Sequence, residues 1–353
     1  MAKFRFLQTP LQLKSLSLKN RLVMPPMCQY SAKDGVPNDW HFVHYTSRAV
    51  GGVSLIIIEM TNVAPNGRIS PRCLGLWNDE QRDAFKRIVD AVHAQGGKIG
   101  IQIAHAGRKA QDCDDVVAPS AIHYGQEDFP GQHLKTPRAL TEDEIEQIIQ
   151  AFQHSVKRAV EAGFDMIELH GAHGYLIHQF SSPKSNHRND SYGQDRFLFG
   201  EKVIKAAKSV MPADMPLAIR ISAQEYSENG YDSDYGVQMA MRFKAAGVDI
   251  FDVSGGGNGV LHPNHHPQFN AGYQVYLARK IKQATQLPVI AVGLLDDPSL
   301  ADHVLGIGDA DLIAVGRGLL RDPYWYLNAQ YKQNASDSTG VESVPPQYQR
   351  GYM

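Results

Sequence analysis

Two histidines and a tyrosine stand close together in the segment HGAHGY, as His170, His173 and Tyr175, directly after the apolar run FDMIEL. Only glycine and alanine separate them, so the chain puts little bulk between the two imidazoles and the phenol. A neutral imidazole can donate one hydrogen bond, and a phenol is a weak acid with an ordinary pKa of about 10. Such a group could polarise an oxygen atom of a bound molecule and deliver a proton close to it.

The same side chains have two other interpretations. As metal ligands, the histidines of HGAHGY would need a third Asp, Glu or His within reach. His262, His265 and His266 are the candidates, but they belong to a separate loop without a carboxylate. As purely structural groups, two histidines and a tyrosine at the mouth of one strand would be an unusual use of polar side chains. The sequence therefore favours a polarising pair with an acid and predicts no metal.

Polar or glycine residues also lie at the ends of most other short apolar runs of the chain. They are Cys28, Tyr30, Gln102, Arg220, Gly293, Gly316 and Arg317. Glycine allows a backbone N–H to approach an anion closely, and arginine adds a charge-assisted bidentate donor. Glycines at strand ends often serve only as turns. Together with SGGG after the sixth run, however, the ends of the seventh and eighth runs predict a phosphate site.

The elements that would position these residues are eight short apolar runs. They cover residues 21–26, 53–60, 98–105, 164–171, 216–222, 248–256, 287–293 and 310–316. The runs are rich in Ile and Val and are flanked by Gly or Pro, which is typical of strands buried on both faces. Between them lie segments whose apolar residues recur every three or four positions, as in amphipathic helices. Thr141 and Glu144 form a capping box at the start of one such segment.

Eight strand–helix units without an intervening linker predict an α/β fold, a single (β/α)8 TIM barrel over residues 1–332. An open doubly wound sheet is the alternative, and it would be expected to carry an early GxGxxG, which this chain lacks. In a barrel the chemistry lies at the carboxyl ends of the strands. The segment before the first strand is predicted to plug the barrel bottom, and residues 333–353 form an extended C-terminal tail.

Composition narrows the class of protein. The chain has 353 residues, 43% of them hydrophobic, and a formal net charge of −2, which gives no electrostatic basis for binding nucleic acid or an anionic membrane. Its three cysteines, Cys28, Cys73 and Cys113, are too few and too widely spaced for a disulfide framework. No apolar run approaches the roughly 18 residues of a membrane span. These features predict a soluble cytoplasmic protein.

Four segments together resemble the old yellow enzyme family of FMN-dependent ene-reductases. They are HGAHGYLIHQFSSPKSNHRNDSYG, PPMCQY, IQIAHAGRKA and LIAVGRGLLRDP. The similarity is greatest to the bacterial subgroup that carries a cysteine on the first strand, and it covers about residues 3–331 and the final residues. The resemblance implies a (β/α)8 barrel with FMN as cofactor and NADPH or NADH as co-substrate. It implies electron-poor alkenes, namely α,β-unsaturated carbonyl or nitro compounds, as the molecules reduced.

The resemblance also implies a place for each candidate residue. The FMN phosphate would lie on Gly293, Gly316 and Arg317. The flavin ring would be surrounded by Pro25, Pro26, Met27, Cys28, Met60, Gln102 and Arg220. Within this set Gln102 would hydrogen-bond the pyrimidine edge, Arg220 would favour the reduced anion, and Cys28 would tune the potential. The substrate oxygen would be bound by His170 and His173, joined by Tyr30, and Tyr175 would donate the proton.

The chain departs from the family pattern in three places. Met60 stands where relatives often have a small residue, so its side chain could crowd the ring or the substrate. The loop after Gly193 is about three residues shorter than the family motif GGSxxNRxRF. Pro25 replaces a hydroxyl residue that some relatives use to bond the flavin.

A different class of function, a flavin-binding redox sensor that uses Cys28, is the alternative to an ene-reductase.

The last residues, PPQYQRGYM, are rich in aromatic side chains. In the cysteine-bearing subgroup a similar ending crosses a dimer interface and lends an arginine to the neighbour's active site. The resemblance therefore implies a homodimer or a dimer of dimers, in which Arg350 completes the substrate site of the neighbouring subunit. Packing of the tail against its own barrel is the alternative.

Overall fold

The computed structural model describes residues 4–111, 113–124, 134–264, 267–334 and 344–352. Eight parallel strands form its centre: β1 (Leu22–Met24), β2 (Leu55–Asn62), β3 (Lys98–Ala104), β4 (Met166–Gly171), β5 (Leu217–Ser222), β6 (Ile250–Ser254), β7 (Val289–Ala291) and β8 (Leu312–Ala314). Each strand pairs in parallel with the next, and β8 pairs with β1. The sheet is therefore closed, and the predicted (β/α)8 barrel is confirmed, with one strand overlapping each predicted run.

One principal helix follows each strand. The helices are α1 (Asp39–Val50), α2 (Asp79–Ala94), α3 (Glu142–Ala162), α4 (Leu198–Lys208), α5 (Ser233–Ala246), α6 (Val275–Thr285), α7 (Pro298–Gly306) and α8 (Trp325–Asn334). Shorter helices lie at Leu176–Ser181, Ser191–Gln194 and Arg317–Arg321. No helix in the described ranges is long and apolar enough to cross a membrane.

The predicted capping box at the start of α3 is confirmed. The Thr141 side chain accepts the backbone N–H of Glu144 at 3.3 Å, and the Glu144 carboxylate accepts the N–H of Thr141 at 2.8 Å. Asn78 with Gln81 caps α2 in the same reciprocal way. These caps satisfy N–H groups that a helix start leaves without intrahelical partners, so the helices begin where the sequence requires.

A short hairpin before β1 closes the bottom of the barrel. Residues 11–13 pair antiparallel with residues 16–18. The buried side chains of Leu16 and Leu18 join a cluster formed by residues near the amino ends of the strands, among them Leu55, Met166 and Leu312. The predicted plug therefore consists of leucine side chains packed into the barrel floor.

The start of the chain is also fixed to α7, near the far end of the sequence. The Asp302 carboxylate accepts the backbone N–H groups of Phe6 and Leu7, each at 2.7 Å, and that of Arg5 at 3.2 Å. Because a carboxylate accepts these donors strongly, the segment that leads into the hairpin has a defined position.

The described part of the tail, residues 344–352, contacts α8 of its own chain. The Tyr352 hydroxyl donates to Oδ1 of Asn328 at 3.1 Å, and its ring lies edge-on to Tyr331. Tyr348 lies beside Tyr324, with their hydroxyl oxygens 3.3 Å apart. Most of the polar linker, residues 335–343, lies outside the described residues. Packing of the tail on a neighbouring subunit stays a prediction.

Shortening of one leucine side chain in the plug hairpin is expected to destabilise the barrel. Leu18→Ala removes a side chain that is 1% exposed, so it should lower the free energy of unfolding by roughly 2–5 kcal/mol. Chemical denaturation followed by circular dichroism measures the change. Ser17→Ala is the matched control because Ser17 points to solvent between the two buried leucines. A loss below about 0.5 kcal/mol in Leu18→Ala would show that the hairpin does not support the floor.

Candidate functional site

A cavity of about 200 Å³ lies at the carboxyl ends of β5 to β8. Its lining includes Gly293 after β7 and Gly316 and Arg317 after β8, the three residues of the predicted phosphate site. Gly293 has a φ of 129°, which disfavours other residues, and an added Cβ would meet the backbone N of Gln274 at 3.3 Å. Close glycine backbones and an exposed guanidinium are the donor set that suits a phosphate.

The loop after β1 lies next to Gly316, one of the residues that line the cavity. A Cβ added to Gly316 would meet Sδ of Met27 at 3.4 Å and Pro25 at 3.6 Å. Beyond Met27, Cys28 packs with the side chains of Met60 and Tyr175 in a small apolar cluster. Residues from the ends of β1, β2 and β4 thus meet in this cluster, and Met27 lies next to Gly316 at the end of β8. Because the Met60 side chain is buried in this cluster, it takes part of the room that a smaller residue would leave.

The Cys28 thiol is held in its protonated form. Burial raises its pKa far above the usual range, the charge of Glu59 raises the pKa further, and a hydrogen bond with the Tyr30 hydroxyl opposes the shift only in part. A thiol of raised pKa is a poor nucleophile and oxidises slowly. The environment therefore weighs against a redox sensor that uses Cys28. Tyr30 itself has a left-handed backbone, with a φ of 48°, and is 41% exposed.

A buried carboxylate fixes the position of the loop after β1. Glu59 accepts the backbone N–H of Gln29 at 2.6 Å and the Tyr45 hydroxyl at 3.1 Å, and Nε2 of His41 lies 3.5 Å away. Burial raises the pKa of Glu59 to about 7, although these hydrogen bonds lower it. The sequence analysis gave Glu59 no role. The structure makes it a support for the residues that line the cavity.

Four polar side chains form a row inside the barrel, just below the mouth. Nε2 of Gln102 donates to Oε1 of Glu168 at 2.8 Å. Nε of Arg220 lies 3.3 Å from Oδ2 of Asp252, and Arg220 also lines the cavity. Two acids that the sequence analysis did not select thus stand directly beside Gln102 and Arg220, whose contact with the flavin ring stays a prediction.

The two histidines and the tyrosine of HGAHGY meet at the mouth. The ring centroids of His170 and His173 are 5.3 Å apart, and those of His170 and Tyr175 are 4.7 Å apart. His170 is buried, whereas His173 and Tyr175 keep an edge open to solvent. The N–H of Ala172 points to Nδ1 of His170 at 3.4 Å, so Nε2 of that ring carries the hydrogen. His170 can therefore donate toward the mouth.

All three groups are electrically neutral at neutral pH. Burial lowers the pKa of His170 and of His173 well below the usual range, and the nearby charge of Arg220 lowers both further. Burial raises the pKa of Tyr175 well above its usual range. The site therefore presents neutral imidazoles and a protonated phenol, which can donate hydrogen bonds and a proton without a charge on the protein.

His173 is held in an unusual backbone conformation. Its φ of 58° lies in the left-handed region, which is costly for a residue with a Cβ. The Ser222 hydroxyl accepts its N–H at 3.0 Å, and Nζ of Lys109 donates to its carbonyl at 2.7 Å. Its Nε2 lies 2.9 Å from Oγ of Ser254. The ends of three other strands thus hold the second histidine in place.

The sequence analysis missed Lys109, Ser222 and Ser254. Ser222 and Ser254 are the last residues of β5 and β6, so their position at a strand end was an available signal. Lys109 gave no such signal, because it lies five residues beyond β3 and reaches His173 only through the fold. Its Nζ also donates to the carbonyl of Gly257 at 2.5 Å, which ties the loop after β6 to the HGAHGY segment.

Some candidates lie elsewhere or outside the described residues. Arg350 is exposed in the short helix Pro346–Gly351 of the tail, on the α8 side of the single chain. Gly193 lies in the helix Ser191–Gln194. His265 and His266 fall outside the described residues. Across the described ranges, no group of three or more His, Cys, Asp or Glu is arranged to hold a metal ion.

The family model, the related sequences and the solved structures that resemble this chain agree with one another. The model of the NADH:flavin oxidoreductase / NADH oxidase family matches residues 6–336. The NADPH dehydrogenase of Bacillus subtilis is 43% identical over 353 residues, covering 99% of each chain, and that of Listeria innocua is 44% identical, covering 97% of each. Among solved structures, morphinone reductase in complex with tetrahydroNAD superposes with a TM-score of 0.78 at 30% identity, covering 96% of this chain and 93% of the other.

Removal of the guanidinium from the cavity is expected to weaken FMN retention. Arg317→Ala deletes a charge-assisted contact to the phosphate worth about 1.5–3 kcal/mol, so the dissociation constant for FMN should rise roughly 10- to 150-fold. Quenching of FMN fluorescence on titration measures it. Arg321→Ala is the matched control, because Arg321 lies at the other end of the same short helix and pairs with Asp296. Equal FMN affinity in the two variants would contradict the phosphate site.

The raised pKa of Glu59 predicts a pH dependence of stability. The folded protein keeps the Glu59 proton up to about pH 7, whereas the unfolded chain releases it near its ordinary pKa. The folded state therefore binds more protons in this window, and the Glu59 contribution to stability falls as pH rises through it. Glu59→Gln should abolish this part of the decline between pH 5 and pH 8, measured by urea denaturation. Glu228→Gln, at an exposed position, should decline like the unmodified protein, and a parallel decline in Glu59→Gln would contradict the assignment.

Proposed function

The chain belongs to the NADH:flavin oxidoreductase / NADH oxidase family, with FMN as its cofactor, and from this premise we propose that it is an NAD(P)H-dependent ene-reductase. Its substrates are α,β-unsaturated carbonyl or nitro compounds, in which an oxygen withdraws electrons from the C=C bond. The observation that carries the proposal is the juxtaposition of two neutral imidazoles and a protonated phenol beside the anion-binding cavity.

The cavity residues suit the cofactor. Gly293, Gly316 and Arg317 would hold the phosphate, and Arg220 and Gln102 would lie at the edge of the ring. Arg220 supports this placement, because its side chain lines the cavity while its Nε faces Asp252. When bound, FMN supplies hydride transfer, first from the reduced nicotinamide and then to the alkene.

The protein side chains supply binding and the proton. His170 donates through Nε2–H to the activating oxygen of the substrate, and His173 lies at the second side of that oxygen. A hydrogen bond from a neutral imidazole to the substrate oxygen draws electron density from the C=C bond. Because the imidazole is uncharged, it does not attract unrelated anions. Tyr175 gives its phenolic proton to the α carbon. This transfer is possible because a carbanion-like centre is far more basic than a phenolate. One hydride and one proton are thus added, and the nicotinamide leaves oxidised.

The co-substrate and the assembly form the remaining part of the proposal. Relatives that are 43–44% identical over nearly the whole chain are NADPH dehydrogenases, which favours NADPH as the hydride donor here. We assign Tyr30 to the substrate side of the pocket, because its exposed ring lies next to Cys28. In a homodimer, Arg350 of the tail would close the pocket of the neighbouring subunit near this tyrosine.

Removal of the Tyr175 hydroxyl should slow flavin reoxidation by the alkene much more than flavin reduction by NADPH. In Tyr175→Phe the rate of flavin reoxidation by 2-cyclohexenone should fall by about 10²- to 10⁴-fold, because the proton donor is lost. Flavin reduction by NADPH should change less than about threefold. Stopped-flow absorbance of the flavin follows both steps in one instrument.

Tyr326→Phe is the matched control for this experiment. Tyr326 is a buried tyrosine of α8 that packs beside Gly52 at the opposite end of the barrel, so both rates should stay at the unmodified level. Equal slowing of reduction and reoxidation in Tyr175→Phe would mean that the hydroxyl supports the pocket structure rather than proton transfer. Unchanged reoxidation would contradict its role as the acid.

A further inference from the structure

Two buried carboxyl groups lie under the mouth of the barrel, and the proposed reaction gives them no role. Glu168 and Asp252 are each 0% exposed. The sheet register places Glu168 opposite Gln102 and places Asp252 opposite Arg220. The row therefore crosses four adjacent strands, and two of its members are the side chains that the proposed function puts at the flavin ring.

The row contains more negative groups than positive ones. Among the described residues, Arg220 is the cation that pairs with Asp252, with its Nε 3.3 Å from Oδ2. In the described chain, Oε2 of Glu168 and both oxygens of Asp252 accept no hydrogen bond. An ionised carboxylate without donors is very unfavourable in a buried site. One guanidinium can balance one of the two acids, so the other is expected to keep its proton.

The contacts identify which acid keeps the proton. Asp252 faces the guanidinium of Arg220, whereas Glu168 contacts the neutral amide of Gln102. Burial, together with the charge of Asp252, raises the pKa of Glu168 to about 8, and Arg220 opposes this shift. Burial also raises the pKa of Asp252, and the positive charge of Arg220 opposes this rise. The direct ion pair makes Asp252 the ionised member.

We propose that Glu168 stays protonated while Asp252 is the counter-ion of Arg220, and that Asp252 thereby sets the reduction potential of the bound flavin. This inference rests on the place given to Arg220 at the flavin ring by the proposed function. A cation at that edge stabilises the anionic reduced flavin. A carboxylate against the same guanidinium offsets part of its charge, so it lowers the potential and makes the reduced flavin a stronger hydride donor.

The proposal predicts a shifted flavin potential for one of two isosteric variants and an unchanged potential for the other. Asp252→Asn removes the ionised charge, so the ratio of reduced to oxidised flavin at a fixed potential should rise at least about tenfold, which is about 30 mV for two electrons. Glu168→Gln replaces a neutral acid by a neutral amide, so the ratio should stay within about threefold. The measurement is a spectroscopic redox titration of the FMN-bound protein against reference dyes at pH 7.

The matched control is Asp249→Asn. Asp249 precedes β6 at the other end of the barrel, where it pairs with Lys14 and Lys208, and its loss should leave the flavin potential unchanged. A shift in Glu168→Gln as large as that in Asp252→Asn would show that both acids are ionised, which overturns the proposal. Unchanged potentials in both variants would equally overturn it.

A second measurement, infrared spectroscopy, reports the protonation state of Glu168 directly. A protonated buried carboxyl group gives an infrared carbonyl band that shifts in D₂O, and Glu59 contributes to this band near neutral pH. Glu168→Gln should therefore lose one component of the band that the unmodified protein shows and keep the component of Glu59. Equal spectra of these two proteins would overturn the assignment. If Asp252→Asn does not fold, Asp252→Ser removes the same charge and is titrated in the same way. If neither folds, the band alone decides the protonation of Glu168.

The test is separate from that of the proposed function. The redox titration uses neither an alkene nor a nicotinamide, so failure of enone turnover would leave its result unaffected. Arg220→Gln tests the placement on which the inference rests. It should lower the reduced-to-oxidised ratio, and an unchanged potential would show that the guanidinium does not face the flavin.

Discussion

Closure of the sheet is the constraint on which the site depends. β8 pairs in parallel with β1, with Ile313 opposite Leu22 and Ala314 opposite Val23, and this pairing brings both ends of the barrel segment side by side. As a result, the carboxyl ends of all eight strands meet around one mouth. Cys28, His170 and Arg317 are far apart in the chain, yet they share this mouth only because the last strand pairs with the first.

Burial is the second organising influence, since it keeps the cysteine, the two histidines and Tyr175 at the mouth in their neutral forms. Desolvation is the largest cause of the shifted pKa of His170, Tyr175 and Cys28. A pocket of neutral donors changes its charge little across the physiological range of pH. The ion pair of Arg220 with Asp252 is charged but buried, so solvent screens it weakly.

The sequence predicted the barrel because strands and helices follow from local pattern, whereas the roles of the site residues came from the resemblance and stay predictions. Each apolar run became a strand, and polar residues at strand ends reached the mouth as the fold class requires. Glu168 and Asp252 were missed because strands buried on both faces show no alternation to reveal which side chains point inward. The support of His173 by Lys109 was missed for another reason, since it joins distant segments through a left-handed backbone that no local pattern encodes.

The plug hairpin has a consequence for the order of folding. Leu16 and Leu18 are made early, but Leu312 and Ala314 in the same floor cluster are made about 300 residues later. The same holds for Asp302, which fixes the backbone of Phe6 and Leu7. During synthesis on the ribosome, these leucines are therefore present before the residues of the last strand that they pack against. Contacts between the two chain ends delay completion of the floor until the last strand is available, so an incomplete chain is kept from acquiring the finished core.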